Sequence, residues 1–271
     1  MLAALAGGVG AARFLCGLVD VVDPASVTAV VNTGDDDEFH GLWVCPDLDS
    51  VTYALAGANN PETGWGLAGE TFDTIDALDR YGPPTWFRLG DRDLATHLYR
   101  SERRRAGVPL SVITAEIARA WGVASRLVPM TDDRVATRIT VRGDDGAPTE
   151  LAMQEWFVRE HAEPPVLAVP GIRAALAARR DRVVAVSPIV GGRPVKGPAD
   201  RLMAPLDIEV SSVGVARAYR DVCATMVIDR VDAADRARIE ALGVRVVVTD
   251  TLMRDARVAA ALARDTLAAV A

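Results

Sequence analysis

Cysteine is scarce in this chain of 271 residues: Cys16, Cys45 and Cys223 are widely spaced and are all it has. That excludes a disulfide framework and a paired-cysteine metal site, and it fits a reducing cytoplasm. Aromatic residues make up only 5% of the chain, so the core must come from the abundant Ala and Val, as stacked helices and buried parallel strands allow. Positive charge is in deficit. A formal net charge of -7 argues against a general binder of nucleic acid or membrane surface. The one dense basic run, Arg100 to Arg105, reads as the solvated face of a predicted helix. No stretch approaches the roughly 18 apolar residues of a membrane span. The start, MLAALAGGVG, has no basic leader and too short an apolar run for a signal peptide. There is no internal repeat, no low-complexity tract, and no Ser/His/Asp or activated-cysteine pattern.

Carboxylates, by contrast, are crowded. Between Asn32 and Asp49 the chain reads NTGDDDEFHGLWVCPDLD, with Asp35, Asp36, Asp37, Glu38, Asp47 and Asp49. The apolar run Ala29 to Val31 before it reads as a buried strand, so the first acids fall where a strand ends. Open α/β sheets place their ligands there. Such acids repel one another unless a cation neutralises them, and a divalent metal that bridges to phosphate is one such cation. A solvated acidic loop is the other reading.

The coarse pattern is alternating strands and helices at both ends of the chain. Leu2 to Leu5 and Val27 to Val31 read as strands around a glycine turn and an apolar helix. Val183 to Val186, Thr225 to Ile228 and Val244 to Val248 read as covered strands, with helices between them and from Asp250 to Val270. Ala136 to Val141 and Glu150 to Gln154 flank Gly143 to Gly146, a hairpin signal. The expected fold is α/β: a Rossmann-like, mostly parallel sheet with helices on both faces. One domain over 1–271 is expected, with 72–160 as an inserted helical and hairpin subdomain.

Four other stretches could carry chemistry. AGGVGAAR resembles a phosphate-binding glycine loop through Gly7, Gly8 and Gly10. It is not a full GxGxxG, because Arg13 holds the third glycine's place, and it lacks the Lys-Ser/Thr of a P-loop. WFRLGDRDLATH, Trp86 to His97, could be an anion-receiving helix start or a helix cap with internal ion pairs; Asp93 and His97 share a face. SPIVGGRPVKGPAD, Ser187 to Asp200, is a glycine- and proline-rich loop after a buried strand. TDTLM, Thr249 to Met253, follows the next apolar run and admits a helix-cap reading, as does PMTDD, Pro129 to Asp133. Trp65, in NNPETGWG, could stack on a flat ring or simply cover core.

Taken in order, AGGVGAARF, NTGDD, PDLDSVTY, GWGLAGETF, WFRLGDRDLATH, PMTDD, MQEWFV, SPIVGGRPVKGPADRLM, VSSVGVARAY and VTDTLM closely resemble the 2-phospho-L-lactate transferase family of coenzyme F-420 biosynthesis. The resemblance implies a magnesium-dependent enzyme, cytoplasmic and commonly dimeric. It would join the ribityl hydroxyl of 8-hydroxy-5-deazariboflavin to a phospho-lactyl or phospho-enolpyruvyl group carried on guanosine diphosphate, with GMP leaving. It implies Asp49 and Arg88, with Trp65, as deazaflavin residues. It implies Asp36, Asp47 and Asp49 as magnesium residues, with Asp36 and Asp49 serving catalysis. Gly7, Gly8, Gly10, Ser187, Gly191, Thr249 and Asp250 would hold the nucleotide and its phosphates.

This chain departs from the family pattern twice. About forty residues, including a strand and a PSNP-like loop, are absent between Pro164 and Pro165, judged by where the family motifs resume, either by deletion or because a mobile segment is left out of the chain. Asp37 and Glu38 stand where relatives tend to carry apolar or aromatic residues, which would alter metal affinity or a pocket wall. Two other functions compete. A nicotinamide-dependent oxidoreductase would want a ribose-binding acid after the second strand and no acidic cluster. A non-catalytic nucleotide-binding protein would tolerate loss of Asp36 and Asp49.

Overall fold

The computed structural model describes residues 2–142, 147–159, 166–168 and 180–270. The Pro164–Pro165 junction and the hairpin tip 143–146 lie outside them. The chain divides into two compact units, Met1–Thr137 with Ala152–His161, and Arg138–Leu151 with Ala162–Ala271.

In the first unit, β1 (Leu2–Ala6), β2 (Val27–Val31) and β5 (Arg126–Pro129) form a parallel sheet in the order β1-β2-β5. β2 is central, and its Val27, Ala29 and Val31 are wholly buried, as expected for a covered strand. Helix α1 (Gly8–Val19) packs closely with α2 (Pro46–Leu55). A short antiparallel pair, β3 (Asp37–Phe39) with β4 (Leu42–Val44), stands between β2 and α2 in the chain. His40, at φ 54, and Gly41, at φ 75, make its left-handed turn. Three further helices follow: α3 (Asp73–Leu78), α4 (Leu94–Arg105) and α5 (Leu110–Ala120).

The second unit repeats the parallel theme. β9 (Val184–Val186), β12 (Thr225–Asp229) and β13 (Arg245–Thr249) pair in the order β13-β12-β9. Met226, Ile228 and Val246 pack with Val213, Ala216 and Ile239 of the flanking helices. β6 (Arg138–Arg142), β7 (Pro148–Ala152) and β8 (Val166–Ala168) form a second sheet with β6 in the middle. The Rossmann-like α/β class expected from the sequence is the one found. The last helix differs in its start: it spans Ala256–Ala268, because Asp255 accepts the Val258 N–H at 2.8 Å and caps it there. Thr249 and Asp250 are not its caps.

Two acids twenty-one positions apart cap each other's helices. Glu70 accepts the backbone N–H of Arg92 at 2.7 Å and of Asp93 at 3.1 Å, at the start of α4. Asp91 accepts the N–H of Asp73 at 2.8 Å and of Thr74 at 2.9 Å, at the start of α3, and the Thr71 hydroxyl at 2.6 Å. Gly90 makes room for this: a Cβ there would sit 2.2 Å from Glu70 Cγ. Gly90→Ala should displace Glu70 and lose the α4 cap, at a cost of about 1–2 kcal/mol. A lower urea midpoint would report that loss; an unchanged midpoint would mean that other groups already satisfy those N–H donors.

Candidate functional site

The acids of the first unit converge at the carboxyl end of β2. Asn32 organises the turn. Its amide nitrogen donates to Asp47 at 2.9 Å and its oxygen accepts the Gly34 N–H at 3.0 Å. The Asp36 N–H donates to the Thr33 carbonyl at 3.2 Å, which turns the Asp36 side chain inward. Asp36 is 4% exposed, and neither of its carboxylate oxygens has a hydrogen-bond partner among the described residues. The Cys45 thiol is its neighbour, but not in hydrogen-bonding geometry. A buried carboxylate with both oxygens bare is costly. Burial pushes the Asp36 carboxyl up to about 7. Asp35 is also pushed up to about 7, by burial and then by the charge of Asp47. Asp47 is raised by burial, against the pull of Asn32 and the Gly8 N–H.

Asp47 also explains part of the glycine turn. Its carboxylate would lie 3.5 Å from a Cβ on Gly7 and 3.0 Å from one on Gly8, which sits at φ +51. Gly8 admits the acid to the start of α1, whereas a Cβ on Gly7 would make only ordinary contact. A Cβ on Gly10 would meet nothing within 4 Å. Nothing among the described residues requires glycine there, which leaves room for an approaching ligand.

Behind the acids lies a largely buried ionic network that sequence reasoning did not find. Arg100 is 2% exposed, so it is no part of a solvated basic face. Its Nη1 donates to Asp49 Oδ2 at 3.1 Å, and its Nη2 donates to Asp49 Oδ1. The remaining arginines of that run do lie outside: Arg103 pairs with Glu116 at 2.7 Å, Arg104 stacks over Trp43 and Arg105 donates to the Gly41 carbonyl. Arg100 Nη1 is also 3.3 Å from His97 Nδ1. A guanidinium only donates, so His97 Nδ1 accepts; Nε2 lies 3.3 Å from Asp93 Oδ2 but makes no hydrogen bond among the described residues. The Tyr53 hydroxyl donates to Asp93 and lies 2.8 Å from Thr96 Oγ1. Burial alone would raise Asp93, but His97 and Tyr53 hold its carboxyl below the usual range. Asp49, Asp93 and His97 each place one donor atom within 4.8 Å of the others, a metal-like triple. Arg100 grips Asp49 and Tyr53 donates to Asp93, so within the chain these residues also form an ion network. The signal available in sequence was the spacing of Asp93, His97 and Arg100 along one helix face.

An open cleft of about 300 Å³ adjoins β3 and is lined by Asp37, Glu38, Phe39, Trp86, Phe87 and Arg159, among others. Phe39 stacks on Phe87 with centroids 4.0 Å apart, and Trp86 meets both rings edge-on. Asp37 and Glu38 are therefore cleft-wall residues, and Asp37 also pairs with Arg134 at 3.2 Å. Arg88 pairs with Asp76 at 2.7 Å and lies over the Phe72 ring. Arg92 donates to the Ala68 carbonyl at 2.6 Å. With Glu70 on its amides, the start of α4 is a capped helix end and not an anion receiver. Asp132 of PMTDD accepts the Ser111 N–H at 2.6 Å and so caps α5 across the chain. Trp65 is half exposed in its loop.

The other candidates belong to the second unit. The buried Ser187 hydroxyl donates to the Ile189 carbonyl at 3.0 Å. The Gly191 N–H donates to Asp232 at 3.0 Å. Thr249 donates to Asp265 at 2.5 Å, and Asp250 accepts from Arg254 at 3.1 Å.

Against known proteins, the profile of the family described as 2-phospho-L-lactate transferase CofD matches residues 2–165. Among curated proteins, the phosphoenolpyruvate transferase of Streptomyces griseus is 39% identical over 306 residues, covering 97% of this chain and 96% of that one. The protein of the same name from Thermobifida fusca is 40% identical over 280 residues, covering 84% and 86%. The one from Mycobacterium tuberculosis is 36% identical over 318 residues, covering 96% of each. The 306 aligned positions outnumber the 271 residues here, so the Streptomyces griseus relative carries several tens of positions that this chain lacks. A crystal structure of a UPF0052-family protein from Bacillus halodurans matches with a TM-score of 0.51 at 15% identity, covering 98% of each chain, and shares the fold. Among the described residues no helix is long and apolar enough to cross a membrane.

Proposed function

The chain belongs to the 2-phospho-L-lactate transferase family, and from that premise we propose that it transfers a phospho-enolpyruvyl or phospho-lactyl group from a guanosine diphosphate-linked donor to the ribityl hydroxyl of 8-hydroxy-5-deazariboflavin, in coenzyme F-420 biosynthesis. The name its relatives carry favours the enolpyruvyl donor. We further propose a magnesium-dependent, cytoplasmic homodimer, as the family resemblance implies.

The observation that carries this reading is Asp36: buried, with both oxygens bare, beside two further acids whose carboxyls burial has raised. Hard oxygen donors in that arrangement suit a divalent ion such as magnesium. Asp36, with Asp47 or Asp49, would hold it, as the family resemblance implies. When bound, magnesium neutralises the diphosphate oxygens and the charge that develops on the leaving phosphate.

The acceptor hydroxyl oxygen attacks the phosphorus that bears the acid group. The bond from that phosphorus to the bridging oxygen breaks, GMP leaves with the electron pair, and the hydroxyl proton passes to water. Asp49 is clamped by Arg100, which fixes its carboxylate in place. It can therefore orient the hydroxyl without moving. Such transfer depends on positioning and charge more than on a strong base. The aromatic cleft beside Asp37 has room and chemistry for part of a flat ring. Arg88 and Trp65 remain the ring-binding candidates of the same unit. Gly10, open above its Cα, is the point of the glycine turn where phosphate could approach. In the second unit, Ser187, Gly191, Thr249 and Asp250 are the nucleotide candidates.

The test is turnover. Protein, deazaflavin and magnesium are mixed with each guanosine diphospho-acid in turn, and GMP and the acidic product are followed by chromatography. GMP release that needs both deazaflavin and magnesium is expected, faster with the enolpyruvyl donor. No GMP release with either donor would overturn the reading.

A further inference from the structure

Asp36 and Asp49 are almost equally buried, 4% and 5% exposed, yet oppositely satisfied. Among the described residues neither Asp36 oxygen has a partner, whereas the Arg100 guanidinium takes both oxygens of Asp49. The other contacts of Arg100 are also internal: the Trp43 carbonyl at 3.4 Å and His97 Nδ1 at 3.3 Å. Its charge is thus spent within the chain and is not offered to a substrate phosphate. A buried ion pair contributes little net stability over an apolar pair of similar size, so its presence beside an acidic cluster calls for another account.

We propose that Arg100 is the resident counter-cation of the cluster: by gripping both oxygens of Asp49 it withholds that carboxylate from the divalent ion, leaving the ion to Asp36 with Asp35 and Asp47 and leaving Asp49 fixed toward the acceptor. Arg100 is in this sense a positioning residue. The inference rests on the ion-binding reading above. Without Arg100, a fourth carboxylate would be released among three that already repel one another, and the cluster would bind divalent ions more tightly while its geometry became less defined.

The experiment titrates Mn²⁺ into the metal-free full-length protein and reads the free-ion signal by electron paramagnetic resonance. Wild type should bind Mn²⁺, and Asp36→Asn should abolish that binding. Arg100→Met should tighten binding by about tenfold, since a freed carboxylate at short range adds that order of attraction. Arg100→Lys keeps the charge but not the two-oxygen grip, so it should tighten binding less than Arg100→Met does. The pair variant Asp49→Asn with Arg100→Met removes both charges at once, which protects the fold against an unpaired buried ion. It should bind Mn²⁺ within about twofold of wild type, because the pair has no net charge. A tenfold or greater loss of affinity in the pair variant would show Asp49 to be a ligand and overturn the proposal. Unchanged affinity in a folded Arg100→Met protein, with folding checked by circular dichroism, would overturn it as well. Either result, with binding still lost in Asp36→Asn, leaves the ion-binding reading standing. Wild-type binding indifferent to Asp36→Asn would remove both.

Discussion

Asp36→Asn is expected to lower turnover by about a hundredfold to a thousandfold, the usual range when one group that stabilises transition-state charge is removed. The same change should make the metal-free protein more stable above neutral pH. The two effects have one cause. At about pH 8 the Asp36 carboxylate is ionised, buried and unpartnered, because burial has moved its carboxyl up to about 7. Asparagine keeps the shape and removes the charge, so the desolvation cost falls. A gain of a few degrees in Tm is expected in the presence of a chelator, and it should shrink or reverse in saturating magnesium. A carboxylate retained for structure would behave otherwise and lose stability together with activity. Melting curves with and without magnesium, set beside GMP release, separate the cases. A lower Tm with turnover intact would remove Asp36 from the ion site.

How much of this was legible depended on whether the cause was local. Val27 to Val31 reads as a covered strand because every residue is apolar or β-branched, and the structure places β2 on those residues. The acids after it were found because a strand end is a local event. The shared face of Asp93 and His97 follows from helical spacing alone. Arg100 was not legible: it heads a run of arginines, and only the packing of α4 near β4 brings it to Asp49, fifty-one residues away. The same holds for Glu70 and Asp91, whose reciprocal caps span a loop, and for Asp47, which meets the glycine turn because α1 packs on α2. In the second unit the apolar runs gave the strands. The last helix starts later than its composition suggests, because Asp255 has the extended backbone of a cap while Thr249 is engaged by Asp265. Sequence periodicity finds elements; it does not find which polar group a distant element will satisfy.

Magnesium is expected to stabilise the protein more at about pH 8 than at about pH 6, and the sign follows from linkage. Asp35 and Asp36 have folded carboxyls near 7, against ordinary values near 3.8. Below the ordinary value both folded and unfolded chains hold these protons, and the pair contributes no pH dependence. Between about 4 and 7 the folded chain keeps protons that the unfolded chain has released, so metal-free stability falls as pH rises. Above 7 the loss is complete. One pKa unit corresponds to about 1.36 kcal/mol, and solvent access to Asp35 reduces the sum, so the expected loss is on the order of a few kcal/mol. Asp93, whose carboxyl is held low, has the opposite sign, but its window lies below about pH 4 and does not enter. A divalent ion binds the deprotonated acids and must displace whatever protons they hold. At about pH 6 it competes with those protons; at about pH 8 it meets bare carboxylates and relieves their repulsion in full. Calorimetric melting with chelator or magnesium at the two pH values reads this directly. A magnesium effect of equal size at both, or a metal-free protein that gains stability between them, would mean that these acids do not share one ion. A larger effect at the higher pH that is lost in Asp36→Asn would tie the linkage to the residue whose two oxygens the chain itself leaves bare.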